Sequence, residues 1–388
     1  MKAPHHLLIY EPRTEGHHLG WLRFILEDLQ PTNVELSVAA DLRPGRRERV
    51  EEQLTGLLGR IKLLSAYDEK GRRHLDGKAR SVAYCLCLSG ADHVFLCALD
   101  EIASSCWRRA AWGILPPAEL RGRMGGIYHR PRFFSEPAWS PGRWLKSAGF
   151  SRMLRDHWWG QMLFVDEFLA ADLSSAYPSA PVFYLPDPCP PGYDGDRAAT
   201  RKQMQLPPEK FILLFYGTGA RRKGLHLTVA ALLQLPPDSP AFLLCVGQQN
   251  PAGETAAGLF ELVRQGRALV MDRYVTVAEE KNCLAAADAV LLPYLNHFGT
   301  SGVLSRAMSA GKPVIVSDEQ LIGRLTRECG LGLVFRSGDI KALAECMTRV
   351  STLDTASLAQ FTAAAHAHAA KNSRPAFREA LLRSLNLL

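Results

Sequence analysis

A turn with three glycines and three consecutive basic residues occupies positions 217–224, GTGARRKG, directly after the apolar run FILLFY. Glycines let backbone N–H groups approach an anion, and the amino end of the helix predicted to follow adds partial positive charge. The cations Arg221, Arg222 and Lys223 would complete the neutralisation of a diphosphate. The spacing matches neither G-x-x-x-x-G-K-[ST] nor G-x-G-x-x-G. An exposed basic turn that caps a helix is the alternative interpretation.

A second glycine-rich turn, NHFGTSG at positions 296–302, follows the apolar run AVLLPY. We expect a helix to begin at Ser301 and Gly302, with its first N–H groups lacking partners within the helix. Ligands of open α/β sheets bind at the carboxyl ends of the strands. Two such turns in one domain therefore predict one diphosphate site more specifically than either does alone.

Length and composition indicate a globular protein of two domains. The chain has 388 residues, 47% hydrophobic and 22% charged, which exceeds one ordinary core. Its formal charge of +7 comes from 46 basic and 39 acidic residues without a long single-sign run. This balance disfavours nucleic acid as a partner. An anionic membrane surface fits the positive charge better.

The ends and cysteines of the chain suggest where it acts. The amino terminus has an apolar run too short for a secretory signal or a membrane anchor. The nine cysteines lack metal-binding spacing, which favours reduced, buried thiols in a cytosolic protein. We therefore predict a cytoplasmic location, with the membrane surface left open, and no metal site.

Short apolar runs alternate with amphipathic stretches in both halves, a pattern typical of βαβ units and parallel sheets. The predicted strands are 6–10, 34–40, 93–99, 211–217, 241–247, 268–272, 289–294, 313–318 and 332–335. A Pro- and Gly-rich stretch over 178–210 predicts a hinge with one short strand. The predicted domains are 1–185 and 186–370. An amphipathic helix within 371–388 is expected to pack back toward the N-terminal domain.

Two loops of the first half carry side chains that could serve an acceptor. Gly16, His17 and His18 follow the first strand; adjacent histidines lack the spacing of a metal pair on a helix. A solvated loop histidine and a helix cap stand as alternatives to acceptor binding or proton transfer. Asp100 follows the strand predicted over 93–99, where its carboxylate could orient an acceptor hydroxyl, or could instead cap the next helix.

Further along the first half, the sequence GIYHRPRFF places His129, Arg130 and Arg132 where they could receive an anionic acceptor or a donor phosphate. Trp158 and Trp159 are expected to pack in a core rather than against a sugar.

The second half resembles the nucleotide-sugar domain of family-4 retaining glycosyltransferases of the GT-B fold. The resemblance covers about 150 residues in the family's order, through YGTGARRKG, AADAVLLPY, FGTSGVLSRAMSAGKPVIVSD, GLGLVFRSGD and KALAECM. It implies two Rossmann-like, doubly wound domains facing a cleft, with a nucleoside diphosphate sugar between them and the acceptor on the first domain.

The resemblance also assigns roles to particular residues. Arg222 and Lys223 would contact the diphosphate, and Tyr274 would lie in the base-contacting loop. From their own positions after predicted strands, His18 and Asp100 are further catalytic candidates. Gly16, His17, His129 and Arg130 would lie on the acceptor side. The residues expected to bind the donor are Gly217, Thr218, Gly219, Tyr274, Asn296, His297, Phe298, Gly299, Thr300, Ser301 and Gly302.

The sequence departs from the family at two glutamates, one near the donor sugar and one on the ribose. Asn296 stands at the first position, and Leu304 or Arg306 at the second, depending on the alignment. Neither alignment gives a carboxylate at these positions, so the ribose contact typical of the family does not carry over to this sequence.

Together these features predict a retaining, metal-independent transfer of a hexosyl-type sugar to an acceptor hydroxyl, in cell-surface glycan, polysaccharide or glycolipid synthesis. The donor would carry UDP or GDP, with no other cofactor, and the acceptor is open among glycans, glycolipids and small molecules. A nucleotide-sugar epimerase or phosphorylase, and a non-catalytic GT-B nucleotide-binding module, remain as alternatives.

Overall fold

The computed structural model describes residues 3–15, 18–75, 77–135 and 139–388. They form two compact units. The first extends to Pro186 and also includes Pro375–Leu388, and the second is Asp187–Arg374. Each unit is built on its own parallel sheet, of seven and six strands. The predicted fold class, α/β with two Rossmann-like units of GT-B type, is confirmed.

The first unit orders its strands β3-β2-β1-β4-β5-β6-β7. The strands are β1 (His6–Glu11), β2 (Glu35–Ala40), β3 (Lys62–Ser65), β4 (His93–Leu96), β5 (Met124–Tyr128), β6 (Trp159–Phe164) and β7 (Val182–Tyr184). The helices are α1 (His18–Leu29), α2 (Arg47–Gln53), α3 (Lys78–Ser89), α4 (Ala103–Ala111), α5 (Arg132–Ser135), α6 (Pro141–Arg155) and α7 (Glu167–Ala176). The succession of strands reverses between β1 and β4.

The second unit orders its strands β10-β9-β8-β11-β12-β13 and reverses between β8 and β11. The strands are β8 (Phe211–Tyr216), β9 (Ala241–Val246), β10 (Ala268–Met271), β11 (Ala289–Leu292), β12 (Val314–Ser317) and β13 (Gly332–Phe335). The helices are α8 (Arg197–Gln203), α9 (Leu225–Gln234), α10 (Gly253–Arg264), α11 (Val277–Ala286), α12 (Gly302–Ser309), α13 (Gln320–Glu328), α14 (Ile340–Ser351) and α15 (Thr355–Lys371).

The chain ends in α16 (Arg374–Ser384), which belongs to the first unit. Its buried side chains Phe377 and Leu381 join the core formed by Leu7 of β1 and Leu22 of α1. The Trp21 ring also meets Phe377 edge-on, with centroids 5.4 Å apart. The last helix therefore covers one face of the first sheet.

Several elements differ from the sequence prediction. The strand predicted over 93–99 ends at Leu96, and a single 3₁₀ turn follows at Leu99–Glu101. The strand predicted over 289–294 ends at Leu292, because Pro293 has no N–H to donate to a neighbouring strand. The stretch 178–210 contains α8 in addition to a strand, with the Asp196 carboxylate capping the helix.

Three strands of the first unit, β3, β5 and β6, were absent from the prediction. The strand β5 reads MGGIY, and its two glycines weaken a strand pattern. An added Cβ at Gly126 would overlap the Leu96 carbonyl oxygen of the neighbouring strand. The glycine is needed for close strand packing, which local sequence does not reveal. Trp158 and Trp159, at the start of β6, are buried in the core as predicted.

We predict that Phe377→Ala destabilises the protein by about 3–5 kcal/mol, because it removes a fully buried ring and leaves a cavity. Urea unfolding followed by circular dichroism measures the change. Phe260→Ala is the matched control, since Phe260 is 71% exposed, and should change the unfolding free energy little. An equal, small effect of both substitutions would show that α16 does not contribute to the core.

Candidate functional site

The two glycine-rich turns of the second unit are neighbours in space. They follow β8 and β11, the adjacent strands between which the strand order reverses. In an open parallel sheet this switch point, at the carboxyl ends of the strands, is where a crevice for ligands forms. The Leu295 N–H donates to the Arg222 carbonyl at 2.8 Å and ties the turns together. The structure thus joins the two segments that the sequence predicted as one diphosphate site.

A chain of side-chain contacts also connects the turns. The Lys223 ammonium donates to the Tyr294 hydroxyl at 2.8 Å and lies 4.0 Å from the centre of the Tyr294 ring. The Tyr294 hydroxyl is 3.1 Å from the Ser301 hydroxyl. Burial raises the pKa of Tyr294 to about 12, so its hydroxyl stays protonated. Tyr294 therefore holds Lys223 beside the start of α12.

The first turn carries three positive charges, at Arg221, Arg222 and Lys223. Among the residues that the structure describes, no carboxylate pairs with Arg221, Arg222 or Lys223. Burial, with the charge of Arg222 adding to it, lowers the pKa of Lys223 to about 8. A half-buried ammonium beside a second cation is costly unless an anion binds there.

Two glycines of the first turn are required by close packing. An added Cβ at Gly219 would overlap the Gln249 carbonyl oxygen, and one at Gly224 would overlap the Pro293 carbonyl oxygen. Gly224 also has a φ of +80°, which disfavours other residues. An added Cβ at Gly217, in contrast, would meet open space. The glycines thus bring the loops together, and the backbone at Gly217 lies open to a ligand.

Two hydrogen bonds hold the second turn, one to a residue outside the turn and one within it. The Asn296 N–H donates to the Glu319 carboxylate at 2.9 Å, and His297 Nε2 donates to the Thr300 carbonyl at 3.0 Å. Ser301 precedes α12 but its hydroxyl does not cap the helix, because it bonds Tyr294 instead. The first N–H groups of α12 have no acceptor within the helix.

Arg306, the residue at the family's second glutamate position in one alignment, is neutralised by Glu280 of α11. Its Nε donates to the Glu280 carboxylate at 2.8 Å, and its Nη1 donates to the Gly302 carbonyl at 2.8 Å. The hydroxyls of Tyr193 and Tyr216 also donate to Glu280. Burial by itself would lower the pKa of Arg306, but the charge and hydrogen bond of Glu280 outweigh it and raise that pKa.

Sequence reasoning missed Glu280, although one signal was present. The segment TVAE has the spacing of a capping box, and Thr276 and Glu279 do cap α11. Glu280 is therefore an additional buried acid with no capping role. An arginine where the family pattern has a glutamate indicates that a compensating acid must come from elsewhere in the chain.

A third carboxylate approaches the second turn from the start of the second unit. Burial raises the pKa of Asp187, while a hydrogen bond from the Thr300 side chain and the charge of Arg306 oppose that rise. Asp187, Glu280 and Glu319 thus reach the second turn or α12 from three different segments.

Tyr274 follows β10, at the same edge of the sheet but two strands away from β8. Its side chain is 74% exposed. The adjacent Arg273 is held by an ion pair with Glu279. The structure does not bring Tyr274 into contact with the two turns, but it leaves the ring available for stacking.

The first unit has a cavity of about 360 Å³ at its own switch point, next to β1 and β4. Four predicted residues line it together: His18, Asp100, His129 and Arg130. Arg13, Arg130 and Lys146 line the cavity together with the Asp100 carboxylate, and Arg13 is ion-paired with Glu101. The small excess of positive charge favours an anionic ligand. Gly16 and His17 lie outside the described residues, as does the Arg132 side chain.

Buried acids orient the polar groups of this cavity. His18 Nδ1 lies 3.0 Å from the Glu11 carboxylate, and its Nε2 lies 3.3 Å from Arg13 Nη1. Glu11 is 1% exposed. Glu101 accepts hydrogen bonds from Arg13 and Arg73. The contacts assign the Nδ1–H tautomer to His18, with its Nε2 toward Arg13.

Asp100 has a different role from helix capping. Its carboxylate accepts the backbone N–H groups of His129 at 2.9 Å and Arg130 at 2.7 Å, and no side chain caps the helix that follows. Burial raises the pKa of Asp100 although these hydrogen bonds oppose the rise. The alternative of a helix cap is therefore wrong, because Asp100 fixes the loop after β5. His129 Nε2 donates to the Cys97 carbonyl at 2.8 Å.

Within the described ranges no group of three or more His, Cys, Asp or Glu side chains could hold a metal ion. No described helix is long and apolar enough to cross a membrane.

Comparisons with known proteins agree with this architecture. The model of the family "Glycosyl transferases group 1" matches residues 196–368. No curated protein matches the sequence significantly.

Solved structures resemble the whole chain. HepE of Anabaena in complex with UDP has a TM-score of 0.69 at 15% identity, covering 98% of this chain and 100% of that one. A glycosyltransferase from Rickettsia africae has a TM-score of 0.68 at 14% identity, covering 98% of each chain. WaaG, a glycosyltransferase involved in lipopolysaccharide biosynthesis, has a TM-score of 0.60 at 15% identity, covering 98% and 99%. At such identities the likeness shows the fold.

The matched segment contains both glycine-rich turns, Arg306 and Glu280, and the predicted resemblance is confirmed. The model of the glycosyl transferases group 1 family thus matches the second unit over residues 196–368, in a chain whose two units have the GT-B fold.

Proposed function

We propose that the protein transfers a sugar from a nucleoside diphosphate sugar to an acceptor hydroxyl, with retention and without a metal ion. The observation that carries this proposal is the pair of cations Arg222 and Lys223. Neither pairs with a carboxylate among the described residues, and their turn lies at the switch point, where Tyr294 connects Lys223 with Ser301 before α12. The family match supports sugar transfer. Retention of the anomeric configuration is typical of the family that the second half resembles.

In such a reaction, the bond from the sugar to the diphosphate breaks and negative charge develops on the leaving oxygen. Preorganised cations and helix N–H groups stabilise that charge without reorganising. Lys223, held by Tyr294, would contact the diphosphate from one side. The amides of Thr300, Ser301 and Gly302 would contact it from the other. Arg222 is exposed and can move onto the ligand.

The donor end would be recognised without the family's glutamate pair. Arg306, which is neutralised by Glu280, stands where the family has a glutamate in one alignment. It offers hydrogen-bond donors where a glutamate offers acceptors, and it can therefore donate to the ribose oxygens. UDP is the nucleotide that we favour, since HepE was crystallised with UDP and with UDP-glucose. Tyr274 would stack on the base.

The cavity of the first unit would take the acceptor. Its cations suit an acceptor that carries a phosphate or carboxylate group, and the Glu11-oriented His18 would position the reacting hydroxyl. We place the protein in the cytoplasm, in the synthesis of a cell-surface glycan or glycolipid.

The first test is thermal unfolding in the presence of UDP, GDP, ADP, dTDP or CDP, each with and without a chelator. A ligand that binds only the folded state raises the melting temperature. We expect UDP to raise it equally with and without chelator, and product analysis by NMR to show a retained anomeric configuration. Absence of a shift with every nucleotide would contradict the diphosphate site. A nucleotide that binds without transfer or hydrolysis would instead indicate a non-catalytic module.

We predict that Lys223→Met lowers kcat by about 10²–10³-fold, with a smaller effect on KM, because the charge develops mainly in the transition state. Steady-state kinetics with the UDP sugar measures both. Lys312→Met is the matched control: burial also lowers the pKa of Lys312 to about 8, but Lys312 precedes β12 at the opposite edge of the sheet. Equal losses in the two variants would count against a specific role for Lys223.

We predict that affinity for UDP falls as the pH rises through about 8. Burial lowers the pKa of Lys223 to about 8 in the free protein, and a bound diphosphate would raise it again. Between those two pKa values, binding takes up a proton, so the measured affinity decreases with increasing pH. Calorimetric titration over pH 7 to 10 measures this, and Lys223→Met should remove the dependence. A pH profile unchanged by that substitution would exclude Lys223 as the titrating group.

A further inference from the structure

A second cavity lies in the second unit, away from the two glycine-rich turns. Its volume is about 1110 Å³. Phe242 at the start of β9 and Ala268 at the start of β10 line it, as do residues 205–208, which precede β8. Because these strands are parallel, the cavity lies at their amino ends. The glycine-rich turns follow the carboxyl ends of strands, so the cavity is separate from the proposed diphosphate site.

The cavity follows the open edge of the second sheet. The strand β10 is the first in the order of that sheet and pairs with β9 alone. Ala268 packs in the core with Leu262 of α10, so Leu269, the next residue of the strand, points to the opposite face. Leu269 and Val263 of α10 both line the cavity. Residues from both faces of the sheet can share a cavity only around its edge.

Two residues of β10 direct their backbone groups toward this open edge. The Arg267 and Met271 carbonyls accept hydrogen bonds from the β9 segment at 2.9 and 3.0 Å. Alternate residues of a parallel strand bond to the same neighbour, so Ala268 and Val270 face away from β9. Within the described ranges, no other segment pairs with their backbone groups. Free N–H and C=O groups on an edge strand are a template for a further strand.

The strand β10 lacks charge, proline and a bulge, which commonly protect an edge strand. Its sequence is ALVM, and it pairs with β9 without a shift of register. Leu269 and Val270 are partly exposed. A strand of four residues is short for stable pairing by the backbone alone. The apolar cavity beside it must therefore provide part of the binding.

The charged groups of the cavity are basic. Arg197, Arg201 and Lys202 of α8 line it, and among the described residues no acidic side chain does. Arg197 and Arg201 share the Asp288 carboxylate, at 2.8 and 2.5 Å, and Glu209 attracts Arg201. Lys202 is exposed and has no such partner in the described part of the chain. A ligand that complements this cavity is therefore both apolar and acidic.

We infer that the cavity beside β10 binds an extended, acidic segment of a partner protein, which adds a strand to the sheet. The backbone of the segment would pair with Ala268 and Val270. Its apolar side chains would lie on Phe242 and Leu269, and its acidic side chains near Lys202. In strand addition the main-chain hydrogen bonds give affinity and the side-chain pockets give specificity. The inference does not depend on sugar transfer.

The probe is a fluorescein-labelled peptide in which four valines, matching the four residues of β10, lie between pairs of glutamates. Fluorescence anisotropy measures its binding to the full chain. Replacing the glutamates by lysines should lower the affinity at least ~tenfold, because the charge is reversed. Only alternate N–H groups of an added strand face β10. Of two peptides N-methylated at either alternate set, one should therefore lose at least ~tenfold in affinity and the other should bind nearly normally.

The substitution Val270→Pro tests the edge itself. Proline removes the outward N–H and places its ring in the path of an added strand, without breaking a bond to β9. We expect at least ~tenfold weaker peptide binding. Val334→Pro is the matched control, because β13 is the opposite edge strand. The Leu331 and Phe335 carbonyls accept hydrogen bonds from the β12 segment, so Val334 also faces away from its neighbour. This variant should bind the peptide nearly as wild type does.

The substitution Lys202→Glu tests the charge of the cavity and decides the matter should Val270→Pro fail to fold. It should weaken binding of the acidic peptide at least ~fivefold. Lys341→Glu makes the same change at an exposed lysine of α14 that does not line the cavity, and it should have little effect.

Four outcomes would overturn the inference. They are no binding of the acidic peptide, equal affinity for the acidic and basic peptides, equal affinity for the two N-methylated peptides, and equal losses in variants and controls. Self-association of the chain that Val270→Pro abolishes would identify a second copy as the strand donor and would likewise overturn an acidic partner.

UDP binding is measured on the same proteins. The variants should retain it, since the glycine-rich turns lie at the other end of the sheet, and retention also shows that they are folded. If peptide binding fails while UDP binding persists, only the strand-addition inference is wrong. If the wild-type protein binds the peptide but not UDP, the proposed function is wrong and the inference stands.

Discussion

The Lys223–Tyr294 contact is the interaction on which the second unit's site depends. It places an ammonium group in a half-buried position, where its pKa is lowered to about 8, and it joins two turns that lie on different strands. The Tyr294 hydroxyl and ring offset part of the cost of holding that charge, and a bound anion would offset more of it. A site arranged in this way is incomplete without its ligand, which is why we interpret the turns as a diphosphate site rather than as a basic helix cap.

The acids around the second turn follow from the same electrostatic constraint. Arg306 stands where the family pattern has a glutamate in one alignment, and a half-buried guanidinium without a carboxylate partner would be destabilising. Glu280 removes that cost and is in turn hydrogen-bonded by Tyr193 and Tyr216. The departure from the family pattern is thus a rearrangement of charge within a hydrogen-bonded network.

The first unit uses buried acids differently. Glu11 orients His18, and Asp100 binds the backbone of the loop after β5. Neither acid offers an unengaged carboxylate to the cavity, which leaves cations as its main charged groups.

The sequence by itself determined the strands of the second unit, the two glycine-rich turns and their position at the carboxyl ends of strands. These features depend on local periodicity and on the backbone limits of Gly and Pro. It failed at β5, where glycines required by strand packing hide the strand pattern.

Only the tertiary structure decided which segments meet. Lys223 and Tyr294 are 71 residues apart, and Tyr193 and Glu280 are 87 apart. Such contacts depend on strand order and helix placement, since no local pattern encodes them. For the same reason the sequence could propose Asp100 as a helix cap, whereas the fold brought its carboxylate to a loop 29 residues away.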